Sequence, residues 1–252
     1  MNPIIKIAWR NLWRSKRRTL ITVASIFLSV VVCTLMSSMQ EGSYEGMVNT
    51  AVKFNTGYIQ VMSEDYWDKK TIDNSIEENE ELYGKIKKIE DVTMVTPRLN
   101  NFSLISHLDM AKPVQVYGMN VDKEDQLIKL SEKIDEGELI HNNDRSIMLT
   151  RGLADYMKIE AGDSIVLTGQ GYHGVSAFGL YHVKAILEHP NPMLNKNLVY
   201  MPLPLMQEYL SADNKISSYM VMVEDPYAVE PVVTQIRELT RAAYTGMSRK
   251  EM

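Results

Sequence analysis

The side chains able to break bonds or hold metals are few and scattered. Five histidines (His107, His141, His173, His182 and His189) and a single cysteine, Cys33, are distributed over 252 residues. Their spacings match no common metal frame, and one thiol supports neither an internal disulfide nor a cysteine-based zinc site. The phosphate loop GxxxxGK(S/T), the GxSxG nucleophile elbow and the HExxH helix are all missing from the chain, so ATP hydrolysis, serine hydrolysis and zinc proteolysis by those routes are excluded. Gly169-Gln170-Gly171 runs into Tyr172-His173 rather than a helix start, and reads as a hairpin tip instead of a dinucleotide fingerprint. Glu188-His189 before Pro190 reads as a polar turn. Glu77-Glu78 and Glu80-Glu81 read as a helix entrance, where acids complement the dipole. No catalytic, cofactor-binding or metal-binding residue is assigned, and the chain is expected not to be an enzyme.

The chemistry that remains is that of contact with charged and apolar surfaces. Residues 1–18 hold six bases (Lys6, Arg10, Arg14, Lys16, Arg17 and Arg18) and no acid, leaving 21 bases against 32 acids in the rest of a chain whose net charge is −5. A basic tip on an acidic body argues against nucleic acid, which needs a broad positive face. Trp9, Arg10, Trp13, Arg14, Lys16, Arg17 and Arg18 form a membrane-interface set. They read either as an amphipathic segment lying along the headgroups or as a cationic flank holding the N-terminus in the cytoplasm. Tyr172 and Phe178, near the glycines of the hairpin tip, are candidate contacts for a substrate or partner, because loops on a rigid scaffold often carry recognition.

These groups need elements to position them. Thr19 to Gln40 contains 22 residues without a charge; as a helix it spans about 33 Å, enough for a hydrocarbon layer of about 30 Å. Its Thr22, Ser25, Ser29 and Thr34 can bond back to their own helix or face a neighbouring one. Cationic flanks stay inside, so residues after 40 are expected outside the cytoplasm. Glu41 to Phe54 keeps helical rhythm and reads as a stalk. Beyond it, strands are expected at 57–61, 92–99, 102–107, 114–121, 146–150, 164–168, 180–187, 197–201 and 217–223. Asn100-Asn101 reads as a turn, and Pro97 as an edge or bulge. Helices are expected at 79–89, 123–133, 151–159, 203–210 and 226–240, the last opened by Asp225-Pro226. The alternation predicts an α+β body with a mixed sheet.

The opening Ala8-Trp9-Arg10-Asn11-Leu12-Trp13-Arg14-Ser15-Lys16-Arg17-Arg18-Thr19 resembles the start of permeases of the MacB/LolC/LolE/FtsX superfamily of ABC transporters. Gly57-Tyr58-Ile59-Gln60-Val61 is similar to the first strand of the MacB-like periplasmic core domain. Tyr117-Gly118-Met119-Asn120, Asp135-Glu136-Gly137, Leu153-Ala154 with Gly162-Asp163, Tyr181-His182-Val183 and Val199-Tyr200-Met201-Pro202-Leu203 follow in family order. The resemblance covers essentially the whole chain and is closest to the lipoprotein-releasing LolC/LolE branch. It implies a transmembrane helix at 19–40 after a cytoplasmic segment 1–18. A two-lobed extracytoplasmic domain would follow, with a Porter-like lobe from 41–108 and 212–252 and an inserted Sabre-like lobe from 109–211. It also implies a cytoplasmic ATPase subunit of the LolD/MacB kind and a second permease protomer. The site of action would be the bacterial inner membrane, and the activity lipoprotein release by mechanotransmission, with a lipoprotein or periplasmic protein as further partner. Family permeases carry three more spans, so the chain is expected to be an N-terminal fragment. The alternatives are a single-span envelope sensor or binding module on the same domain, and an anchored hydrolase, which the unclustered nucleophiles disfavour.

Overall fold

The computed structural model describes residues 9–10, 13–51, 57–225, 229–240 and 245–248. The chain forms two compact units, residues 1–49 and 50–252. Within the first, α1 (Lys16–Ala51) begins beside the basic cluster. Its stretch Lys16–Ser43 is long and apolar enough to cross a membrane, and no residue of its most apolar window is buried within the chain. Residues 52–54 of the expected stalk lie outside the described residues, as do residues 3–8 and 11–12 of the basic segment.

The second unit is α+β. Its strands are β1 (Ile59–Met62), β2 (Ile76–Glu77), β3 (Val92–His107), β4 (Met110–Met119), β5 (Ile134–Gly137), β6 (Ser146–Thr150), β7 (Ser164–Gln170), β8 (Ser176–Leu187), β9 (Leu198–Pro202), β10 (Lys215–Ile216), β11 (Ser218–Val223) and β12 (Thr245–Ser248). Its helices are α2 (Glu64–Lys69), α3 (Glu80–Lys87), α4 (Val121–Ile128), α5 (Arg151–Met157), α6 (Leu203–Leu210) and α7 (Val229–Thr240). Asn79 caps α3 by accepting from the Leu82 amide at 3.0 Å, and Leu82 and Ile86 face inward. The opening of α7 at Pro226 lies outside the described residues.

Ten strands form one mixed sheet in the order β12-β1-β11-β3-β4-β9-β6-β8-β5, with β7 bridging β3 and β8. Pairing therefore runs from β3 through β4, β9, β6, β8 and β7 and returns to β3, closing a six-stranded ring. The β4–β9 and β6–β8 pairs are parallel and the other pairs of the ring antiparallel. Because side chains alternate across a strand, the ring has an inner and an outer wall. Ile105, Val114 and Leu167 fill the inside, where α6 contributes Met206, Tyr209 and Leu210 to the same core. A Cβ at Gly169 would lie 2.9 Å from both Ser103 Oγ and Tyr209 Oη; the missing side chain leaves room for Tyr209 to donate to Ser103 at 3.1 Å.

Three local expectations are corrected. Asn100-Asn101 is not a turn: both lie inside the sixteen-residue β3, opposite Tyr117 and Val116. Asn101 donates to the Gln170 carbonyl at 3.0 Å, and the Asn100 amide donates to Ser217 Oγ at 2.9 Å. Neighbouring strands therefore supply the partners that a turn would otherwise supply. Pro97 sits within β3 opposite Tyr219. The Arg98 carbonyl accepts from Ser217 in the β11 direction, so the proline nitrogen faces the other way, where β4 has already ended at Met119. Its missing donor is thus harmless. Glu77 belongs to β2, where it pairs with Lys215, rather than to the helix entrance formed by Glu80 and Glu81.

Candidate functional site

Three of the four hydroxyls expected to bond back along the apolar helix do so. Thr22 donates to the Arg18 carbonyl (3.0 Å), Ser29 to Ser25 (2.8 Å) and Thr34 to Val30 (2.8 Å). No hydroxyl of these three is left to seek water, which is what a hydrocarbon environment requires. Trp9, Arg10, Trp13, Arg14, Lys16, Arg17 and Arg18 are all exposed, and the indoles of Trp9 and Trp13 lie 6.2 Å apart.

In the body, the hairpin expected at the glycines exists, but it separates its two aromatic candidates. Tyr172 begins a 3₁₀ turn (Tyr172–Gly174), is half-buried against the core and lies under Lys215, 5.3 Å from its ring. The turn is tied down, since the His173 amide donates to Asp73 at 2.6 Å. Phe178 is in strand β8, not on the loop, opposite Thr168 and 70% exposed. Its neighbours are set by register: Leu104, Thr168 and Phe178 form one row across β3, β7 and β8, and Ser106, Val166 and Leu180 the next. Phe102, Leu104, Phe178 and Leu180 thus share the outer wall, all exposed. Sequence alone points to Phe178; its companions need the β3–β7 pairing to be known.

Farther along the same wall, residues 121–140 cover the sheet. Val121, Ile128, Leu130 and Ile140 pack onto Tyr117, Met148, Leu198 and Tyr200. Under this cover Arg98 Nε and Glu124 Oε1 meet at 2.7 Å, and a second bond, Nη2 to Oε2, is also 2.7 Å. Both side chains are almost wholly buried. Burial works against the guanidinium charge, yet the Glu124 carboxylate and its hydrogen bonds outweigh it, so the Arg98 pKa is raised. Burial likewise raises the hydroxyls of Tyr117 and Tyr200, keeping both neutral beside the pair.

Between covered and open wall lies a cleft of about 350 Å³ lined by Gln60, Met62, Tyr66, Trp67, Lys70, Asn100, Asn101, Phe102, Gln115, Tyr117, Leu194 and Ser218. Sequence reasoning does not single out these residues, because β1, β3, β4 and β11 bring them together from distant positions. Among the described residues, no group of three or more histidine, cysteine or acidic side chains is arranged to hold a metal ion. Glu188-His189 is a polar turn: His189 donates its amide to Asn195 Oδ1 (3.1 Å), and its Nδ1 accepts from the Asn191 amide (3.0 Å).

The profile of the MacB-like periplasmic core domain matches residues 19–239. Comparison with curated protein sequences gives no match. Among solved structures, the extracellular domain of the ABC-type transporter YknZ from Gram-positive bacteria superposes with a TM-score of 0.52 at 15% identity, covering 75% of this chain and 99% of that one. The periplasmic region of MacB from Actinobacillus actinomycetemcomitans gives 0.53 at 12% identity, covering 79% and 90%. At such identities the likeness is one of fold.

Proposed function

The chain belongs to the MacB-like periplasmic core domain family, the extracytoplasmic part of ABC transporter permeases, and from that premise we propose that it is the force-receiving end of such a transporter. A cytoplasmic ATPase subunit of the LolD/MacB kind supplies hydrolysis, and the chain itself performs none. A second permease protomer completes the assembly in the bacterial inner membrane. The N-terminus faces the cytoplasm, held there by Arg10, Arg14, Lys16, Arg17 and Arg18, and the body faces outward. Residues 41–108 with 212–252 are the Porter-like lobe and 109–211 the Sabre-like one. The substrate is an envelope lipoprotein, released by mechanotransmission.

The observation that carries this reading is the unbroken helix Lys16–Ala51. At 1.5 Å per residue its 36 residues extend about 54 Å, well beyond a hydrocarbon layer of about 30 Å. A helix with satisfied backbone bonds transmits displacement along its axis, whereas a flexible linker dissipates it. Inserting Gly-Pro beside Met47 in the intact permease, assembled with its ATPase, is expected to preserve assembly and ATP hydrolysis while abolishing lipoprotein release. Unchanged release would overturn transmission through this helix. Cysteine labelling of the body from the cytoplasmic side would overturn the orientation.

A further inference from the structure

We propose that the cleft between α2 and the sheet is a binding site for a neutral sugar ring, a pyranose or short oligosaccharide, independent of what the transporter moves. Its volume of about 350 Å³ lies at the small end of ligand pockets, which hold their ligands by apolar walls and a few placed polar groups.

Amides dominate the polar lining. Gln60 comes from β1, Asn100 and Asn101 from β3 and Gln115 from β4; Tyr66, Lys70, Tyr117 and Ser218 add to them, and no carboxylate lines the cleft. An amide both donates and accepts, so it suits a ligand whose groups do the same. Asn100 is the informative member: its Oδ1 is buried and has no hydrogen-bond partner among the described residues. Its neighbour contact, from Tyr66 Oη at 3.4 Å, goes to its backbone carbonyl and not its side chain. A buried acceptor left unmatched carries a penalty of about 1–3 kcal/mol; because this oxygen is out of reach of solvent, a ligand hydroxyl removes the penalty once the amide turns about its last, soft side-chain torsion to face the cleft. Gln115 is already oriented, since its Oε1 accepts from Tyr117 at 3.3 Å.

The apolar walls are ring faces. Trp67 stands at the rim with Lys70 Nζ 5.0 Å from its ring centre, and Phe102 is 62% exposed at the far edge. Aromatic faces carry partial negative charge and so attract the C–H face of a sugar. Hydroxyls that accept as readily as they donate match the amides. An amine or metal ligand finds no acid, and a multiply charged anion finds only Lys70.

Replacing Trp9 and Trp13 by Phe leaves Trp67 as the sole tryptophan of the three and makes its emission a reporter of the cleft. The full chain, in a detergent without a sugar headgroup, is titrated with glucose, N-acetylglucosamine, the N-acetylglucosamine dimer and a capped apolar pentapeptide. We expect saturable change with at least one sugar at a Kd of about 1 mM or tighter, weakened about tenfold or more by Asn100→Ala. Gln60→Ala, at a position without that buried atom, is the second variant and is expected to weaken binding severalfold with unfolding unchanged. Three results overturn the site: no saturable response to any sugar at about 50 mM, a response that both substitutions leave intact, or binding of the peptide alone.

Discussion

Two stretches of one wall meet the solvent in opposite ways. Where residues 121–140 lie over β4, β9, β6 and β8, every row is closed, and the closure tolerates a buried Arg98–Glu124 pair. A few residues away on β3, β7 and β8, Phe102, Leu104, Phe178 and Leu180 stand uncovered. The strands differ as well: β6 and β9 under the cover are near-continuous apolar runs, whereas β3 and β7 in the open stretch alternate, with Ser106, Ser164 and Thr168 among the outward residues. Alternation tells which side chains share a face, and an unbroken apolar run under a covering segment marks where both faces are buried. The covered stretch holds the fold together; the open one is available for contact, because large exposed apolar patches are uncommon on a protein without a partner.

The sharpest way to break the comparison is to disturb the covered stretch. Glu124→Gln removes the partner of a guanidinium that has no access to water, and is expected to cost about 3–5 kcal/mol. Replacing both members, Arg98→Met with Glu124→Leu, removes both desolvated charges and should return stability to within about 1 kcal/mol of the parent or above it. Urea unfolding of the three proteins checks this. If the single substitution cost no more than a surface change, Arg98 would have to be reaching water and the cover would not be closed.

Inner and outer walls of the open stretch provide the next contrast. Ile105 and Leu104 are adjacent in β3, but the first is fully buried and the second 42% exposed. Ile105→Ala is expected to cost about 2–5 kcal/mol, Phe178→Ala on the outer wall no more than about 0.5 kcal/mol. The same denaturation midpoints measure both. A core-sized loss for Phe178→Ala would mean that something in the folded protein covers that wall.

How much of this was legible depends on how local the cause was. The uncharged run 19–40 and the helix expected from residue 79 are written in neighbouring residues, and the structure has a helix through the first and α3 capped by Asn79 at the second, with only Glu77 moved from that entrance into β2. The Asn100-Asn101 reading failed because the partners that satisfy those amides, Ser217 and Gln170, lie 117 and 69 residues away. Arg98 and Glu124 are 26 residues apart, and only an isolated arginine in an apolar strand hinted at a buried partner. The cleft was illegible for the same reason. Its amides sit on β1, β3 and β4, brought together by a strand order, β1-β11-β3-β4, that no periodicity encodes. Tyr172 and Phe178 looked equivalent as aromatic residues near glycines; pairing places one on a pinned turn and the other on an open strand.

The smallest expected effect, a slope with pH rather than a step, tests whether the covered stretch is closed at its margin. His189 is 3% exposed in the turn that carries Leu194 to both the outer core and the cleft rim. Burial lowers its pKa; the Asn191 carbonyl opposes this and Lys133 adds to it. The folded protein therefore binds a proton at this site less readily than the unfolded chain does. Stability from this group is complete above about pH 6.5, the ordinary histidine value, and falls as pH drops toward and through the lowered folded pKa. The structural cost is specific: protonated Nδ1 can no longer accept from the Asn191 amide. From about pH 7.5 to about pH 5, the protection factors of the amides of residues 189–197, measured against the intrinsic exchange rate at each pH, should fall, while those of β7 and the exposed part of β8 stay unchanged. In a His189→Asn variant that dependence should flatten. An equal loss of protection along both stretches would show that acid loosens the ring as a whole, and that the covered half owes nothing of its closure to this turn.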